Sequence, residues 1–292
     1  MMFPAHRRIL GSAIRRALQM RWSPLTLRPF WWFDMAEISG LTFGDPTYTA
    51  TTTVWKDKSG NGYNTTLSSS TANYPFRHAT EPGDLLYSNH AHMPSTALPS
   101  TMPISVFTVA SLGGVNYRAL VGGAAGSMEI RADNTQNISV LRANQANIIT
   151  STGTVTLGRR FIVGVVLDSA GSILSLNGVE QSNGTNAAIS ATTTTIGRCP
   201  VNSEYWENGY LHELLAWSGR ALTKAERDMM VGYLAWKWRI VELAGNQPYR
   251  MRPPMMRPGW NNRRRLDLYV NVPAAGGGGG GRRRRTGIAS SF

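Results

Sequence analysis

Residues 209–238 read GYLHELLAWSGRALTKAERDMMVGYLAWKW, and a change of pattern inside this stretch decides the fold class. The first nine, 209–217, form an apolar run of strand length bounded by Gly and Ser-Gly. From Leu222 the period changes. Thr223 is an N-cap, and Glu226 three places on completes a capping box. Met229, Tyr233, Trp236 and Ile240 follow at spacings of four, three and four, the apolar stripe of an amphipathic helix. A stripe of Met and aromatics of this kind belongs to packing, so the helix is expected to cover an edge or face of a sheet. Gly232 inside it costs about 1 kcal/mol relative to Ala.

Upstream of this stretch the pattern is β from Trp31 onward. Residues 104–112 (ISVFTVASL) and 161–167 (FIVGVVL) are mostly buried runs of strand length, and 192–197 (TTTTIG) reads as another strand. Residues 172–181 (SILSLNGVEQ) alternate around Asn177-Gly178, a dipeptide that accepts the positive φ angles of a two-residue hairpin. Charged residues make up 16% of the 292, against about 25% in an ordinary soluble protein. Thr, Ser, Asn and Gly fill the difference, which suits short strands joined by many turns. The expected fold is all-β: a two-sheet antiparallel jelly-roll sandwich over residues 31–249 with one C-terminal helix.

Charge separates the chain into three parts. The formal net charge is +13. Residues 1–33 hold six Arg and no acid, and 244–292 hold ten Arg against Asp267 alone. The middle, 34–243, has fourteen Lys or Arg against sixteen Asp or Glu, a net of −2. Basicity therefore belongs to two arms, expected at 1–30 and 250–292. In the first, Arg7, Arg8, Arg15 and Arg16 lie on a short amphipathic helix over 6–21, off its apolar positions. In the second, six glycines at 276–281 form a spacer before Arg282, Arg283, Arg284 and Arg285. These guanidinium groups are expected to fasten the chain to acidic protein neighbours. No recognition motif accompanies them, so no specific nucleic-acid partner is expected. No run approaches a membrane span and no signal-peptide core is evident, so no membrane partner is expected either. Cys199 stands alone, which rules out an intramolecular disulfide.

Two blocks resemble a known family. Val54-Trp55-Lys56-Asp57-Lys58-Ser59-Gly60-Asn61-Gly62-Tyr63-Asn64 resembles the opening motif of laminin-G-like, concanavalin A-like domains. Gly209-Tyr210-Leu211-His212-Glu213-Leu214, Arg220-Ala221-Leu222-Thr223, Glu226-Arg227 and Gly232-Tyr233-Leu234-Ala235-Trp236-Lys237-Trp238 resemble their closing strand and helix, in the form found in bacteriophage structural proteins. Tyr74-Pro75 and the Leu176-Asn177-Gly178-Val179 hairpin sit where the family would have them. The resemblance covers about residues 31–249 and neither arm. It implies a jelly roll used for binding or scaffolding. With the arms, it implies a virion component, a capsid decoration or tail-associated protein, held by other virion proteins in a homo-oligomer or symmetric array. Host-surface glycans are the alternative partner.

The residues themselves offer little chemistry. Asp57, Gly60, Asn61 and Gly62 read as a structural turn, with Asp57 capping backbone N–H groups and Trp55 plugging the sandwich. Tyr205 and Trp206 are the candidate glycan-stacking pair. Glycosidic cleavage requires two carboxylates across one bond. The strand at 209–217 has only Glu213, and Glu204 and Glu207 lie in a loop-like stretch. The chain is therefore expected to be non-enzymatic, with a glycan-cleaving enzyme as the least favoured alternative. His90 and His92 lack a third ligand. Calcium would need several oxygen ligands, and Asp57, Asp84 and Asp133 are scattered single acids. No metal and no cofactor is expected. Cys199 has no activating partner nearby in sequence.

Overall fold

Short extended segments dominate the chain, as its Thr, Ser and Gly content requires. The computed structural model describes residues 22–39, 54–66, 76–77, 85–87, 93–94, 101–115, 117–123, 126–142, 147–183, 194–200, 204–206 and 209–250. The early strands are β1 (Trp31–Ser39), β2 (Val54–Asp57), β3 (Thr65–Thr66), β4 (Phe76–Arg77), β5 (Leu85–Tyr87) and β6 (Met93–Pro94). The central ones are β7 (Ile104–Ser111), β8 (Arg118–Gly123), β9 (Met128–Ala132), β10 (Asn137–Arg142), β11 (Asn147–Thr154) and β12 (Arg160–Asp168). Then come β13 (Gly171–Leu176), β14 (Val179–Asn183), β15 (Thr194–Ile196), β16 (Arg198–Cys199), β17 (Glu204–Tyr205) and β18 (Gly209–Ser218). One α-helix, α1 (Lys224–Trp238), follows.

Ten strands make one sheet along the path β14-β13-β12-β7-β18-β1-β2-β3, with β5 on β18 and β4 on β5. Six make the second, ordered β11-β10-β9-β8-β15-β6, and β16 pairs with β17 in a small separate ribbon. The described pairings are antiparallel, and β7 lies between β12 and β18 although neither is its sequence neighbour. This is the expected two-sheet jelly-roll sandwich. Phe33, Trp55, Phe107, Ile130, Val140, Phe161, Leu215 and Trp217 are among the side chains of its core.

Every residue of β7 and most of β12 is buried. A strand covered on both sides loses the in-out alternation, which is why 104–112 and 161–167 read as continuous apolar runs. Helix α1, packed on β12 and β7, supplies part of that cover. In the register, Gly164 stands opposite Phe107, and a Cβ there would collide with the Phe107 ring. The hairpin between β13 and β14 turns at Asn177 (φ 50°) and Gly178 (φ 86°), as the dipeptide predicts.

The helix begins with the capping box: the Thr223 hydroxyl accepts from the Glu226 N–H, and the Glu226 carboxylate accepts from the Thr223 N–H. It ends at Arg239, left-handed at φ 57°. Its fully buried face differs from the expected stripe. Met230, Val231, Leu234, Ala235 and Trp238 face inward, while Met229, Tyr233 and Trp236 are half-buried. The helix is apolar on two flanks, and a single-stripe reading selects the shoulder instead of the centre.

The N-terminal boundary also moves. Residues 22–30, assigned to the arm on charge, belong to the sandwich: Trp22 and Leu27 are buried in its core. Trp22 packs edge-on against Tyr233 at 5.8 Å, and Trp217 Nε1 donates to the Leu27 carbonyl at 2.9 Å. Arg28 carries a charge but no arm character. The chain divides into Met1–Met256 and a second unit, Arg257–Phe292, which lies outside the described residues.

Candidate functional site

The loop after β2 is built around one carboxylate. Asp57 accepts from the backbone N–H of Trp32 (2.9 Å), Ser59 (2.9 Å) and Tyr63 (3.2 Å), and its Oδ2 lies 2.6 Å from Ser59 Oγ. Its own N–H donates to Asn64 Oδ1 at 2.9 Å. Gly60 (φ 90°) and Gly62 (φ 76°) take the left-handed angles that let the loop close. Asn61 then crosses to the N-terminal segment, its Nδ2 donating to the carbonyls of Pro29 (3.1 Å) and Phe30 (3.0 Å). With its oxygens taken by hydrogen-bond donors, Asp57 is a loop clamp and a poor ligand for calcium.

That crossing shapes a cleft of about 340 Å³ at the loop end of the sandwich. The turn Pro24–Leu27 and residues 28–30 form one wall, Ser59 and Asn61 another, and the end of β18 a third. Phe30 lines it, braced by Tyr63 stacked at 4.5 Å. Arg28, Ser218 and Arg220 supply polar edges. Ser218 Oγ accepts from the Thr101 N–H, which leaves its own hydroxyl proton to donate. No hydrogen bond among the described residues uses Asn61 Oδ1. The site is concave, part apolar, and edged by a few polar groups, the composition of a small-ligand site.

A second cluster lies beneath α1. In the β1–β18 register Asp34 stands opposite Glu213, which places both carboxylates on one face. Lys237 Nζ, from α1, sits 2.7 Å from Asp34 Oδ2 and 2.7 Å from Glu213 Oε2. Lys58 Nζ reaches Asp34 at 2.8 Å. Glu213 also accepts from Trp32 Nε1 (2.7 Å), Trp238 Nε1 (2.6 Å) and the Tyr233 hydroxyl (3.3 Å). Burial, reinforced by the charge of Asp34, pushes the Glu213 carboxyl above its usual range against the pull of Lys237. Burial opposes ionisation of Asp34 too, but Lys237 and Lys58 outweigh it and hold that carboxyl below its usual range. Burial beside the two carboxylates raises the Tyr233 phenol. With Glu213 fully buried and its oxygens occupied, this acid anchors the helix to the sheet.

No protein-family model matches the chain, and no curated protein matches it. Solved structures do. Trypanosoma rangeli sialidase in complex with 2,3-difluoro-KDN is 9% identical with a TM-score of 0.53, the match covering 73% of this chain and 33% of that one. A mutant of the same sialidase displaying trans-sialidase activity is 10% identical with a TM-score of 0.51, covering 75% and 37%. Domain 4 of AbnA, an extracellular arabinanase from Geobacillus stearothermophilus, in complex with arabinotriose, is 13% identical with a TM-score of 0.43, covering 68% and 95%. The likeness is one of fold. This chain spans about a third of the sialidase chains it matches.

One expectation is overturned by that finding. The missing pair of strand carboxylates pointed to a non-enzymatic module, but the architecture is shared with chains that are sialidases. A paired-acid rule drawn from one kind of glucanase strand does not delimit what chains of this fold do.

Other expected site residues fall as follows. Trp206 is not a surface platform: it is 1% exposed, edge-on to Phe161 at 6.3 Å and pressed against Gly209. Its neighbours are core residues, because the strand at Glu204–Tyr205 feeds it inward. The side chains of Tyr205 and Glu204, and all of Glu207, His90, His92 and Asp84, lie outside the described residues. So do Arg7, Arg8, Arg15, Arg16, Arg282, Arg283, Arg284 and Arg285. Asp133 accepts from Thr135 and Asn137 in a local turn. Among the described residues no cluster of three metal-ligating side chains occurs, and no helix is long and apolar enough to cross a membrane. Cys199 is buried. Sequence reading missed Arg28, Phe30 and Ser218. The only available signal was their position either side of two elements that the loop motif would have to touch.

Proposed function

We propose that this chain is a glycan-binding sandwich and that the cleft between Arg28 and Asn61 holds the sugar. The observation that carries this reading is the combination of an aromatic wall, Phe30, with uncommitted polar groups at the cleft edge. A sugar offers an apolar ring face and a rim of hydroxyls. The face packs on Phe30, the hydroxyls donate to Asn61 Oδ1, and one of their oxygens accepts from Ser218. Likeness of fold to sialidase chains supports the assignment. A panel of immobilised oligosaccharides tests it with the full chain. At least one glycan is retained and competed off by the same free sugar. Phe30→Ala weakens retention about tenfold, and Leu25→Arg, at an exposed lining position, weakens it with unchanged melting temperature. Retention that survives both substitutions removes the cleft from the reading.

The charge partition favours a further role for the same chain. On this proposal it is a bacteriophage virion component, a capsid decoration or tail-associated protein, fastened by basic arms that flank a near-neutral sandwich.

A further inference from the structure

The cleft is one-sided in charge. Two arginines line it and no carboxylate does. Arg220 is committed, since its guanidinium donates to the Leu27 carbonyl and pairs with Glu226. Asp57, behind the loop, has its charge met by donors of its own turn and of β1. Arg28 differs from both. It is exposed, and its guanidinium has neither hydrogen bond nor ion pair among the described residues.

The backbone beneath Arg28 is nevertheless fixed. Its N–H donates to the Leu25 carbonyl, its φ is 51°, Pro29 follows it, and Asn61 grips the next two carbonyls. A planar fork on a rigid base loses little freedom when it meets a partner. Such a fork donates to two oxygens of one anion, a geometry that carboxylate and sulfate both offer.

We propose, resting on the glycan-binding reading above, that this cleft selects acidic glycans, and that Arg28 meets the carboxylate or sulfate. Sugar hydroxyls occupy Asn61 Oδ1 and Ser218, and the anionic group reaches outward to the guanidinium. A neutral sugar makes the first contacts without the second. Selectivity therefore rests on one side chain and fades as salt rises.

The arms complicate any measurement, because their arginines attract acidic polymers unspecifically. The experiment uses short ligands and two variants of the full chain. Galactotriose, trigalacturonate and 6-sulfated galactotriose are titrated against wild type, Arg28→Gln, and a tail variant with Arg282, Arg283, Arg284 and Arg285 all changed to Gln. Wild type and the tail variant are expected to prefer at least one acidic ligand about tenfold at low salt. Arg28→Gln binds the neutral trisaccharide as before and has no preference, while Arg28→Lys regains part of it. The trigalacturonate and sulfated arms show which anion is read. Equal binding of all three by wild type, or a preference kept in Arg28→Gln, or one lost with the tail arginines, overturns the assignment to acidic glycans while leaving glycan binding intact. Failure of all three ligands to bind overturns the acidic-glycan assignment, and an oligosaccharide panel on which nothing is retained overturns both.

Discussion

Lys237 stands between two carboxylates, and the difference between them sets how the fold answers to pH. Asp34 is held below its ordinary value of 3.8, so its share of stability is present above that value and is lost as pH falls through the folded one. Glu213 is raised above its ordinary value of 4.5, so its share is present below 4.5 and is lost as pH rises through the folded value. The two substitutions therefore respond in opposite senses. Asp34→Asn strips two lysines of a buried partner and costs about 3 kcal/mol near neutral pH, a deficit that closes below pH 3.8. Glu213→Gln gains on wild type as pH rises past 4.5, by at most about 1.4 kcal/mol per pH unit. Urea denaturation across a pH series measures both, and curves that move the same way would remove the opposed pair. None of this cluster was legible as a unit. Glu213 could be picked out as an acid among leucines, but its donors come from β1 and α1, joined only by the fold.

At the scale of elements, most of what the sequence offered was periodicity and end signals, and these placed the elements while missing the buried face of α1. The capping box, the Asn177-Gly178 turn and the buried central strands are local in origin, so a local reading finds them. Gly232 was read as a cost because helix propensity is all that a single helix reveals. In the structure a Cβ at 232 would strike Tyr249 Cβ and Cγ, and Trp236 Nε1 donates to the Tyr249 carbonyl at 2.9 Å. The glycine thus admits the returning chain against the helix. Gly232→Ala should lower stability by about 1–3 kcal/mol despite its roughly 1 kcal/mol gain in propensity. In a Tyr249→Gly background, where the obstructing Cβ is gone, the same change should be neutral or stabilising. A thermal-denaturation cycle of the four chains decides this, and additive effects would show that the contact is not the cause. The same limit explains the candidate site. Phe30 and Asn61 lie 31 residues apart in sequence and meet only through a side-chain-to-backbone hydrogen bond.

For the whole molecule, the separation of charge makes a claim that can be cut with a truncation. The near-neutral part folds through its own aromatic core, and the described residues place that core between Trp22 and the segment after α1. Where the cut falls matters. Removing residues 1–22 would take Trp22 from its contact with Tyr233, whose hydroxyl meets Glu213, and so would disturb the helix anchor along with the arm. Removing 1–21, or 276–292, takes away basic residues and leaves every described contact in place. If cationic ends fasten the chain to acidic neighbours, each truncated chain should keep its melting temperature within about 2 °C, a change no larger than that of a surface substitution. If the cleft binds a glycan, each should also retain that affinity. What each should lose is recovery with assembled particles, because many weak guanidinium pairs act together only while the arm is attached. Sedimentation of particles assembled with full-length or truncated chain measures that loss directly. Undiminished incorporation of both truncated forms would show that the sandwich makes its own attachment and that the arms serve something else.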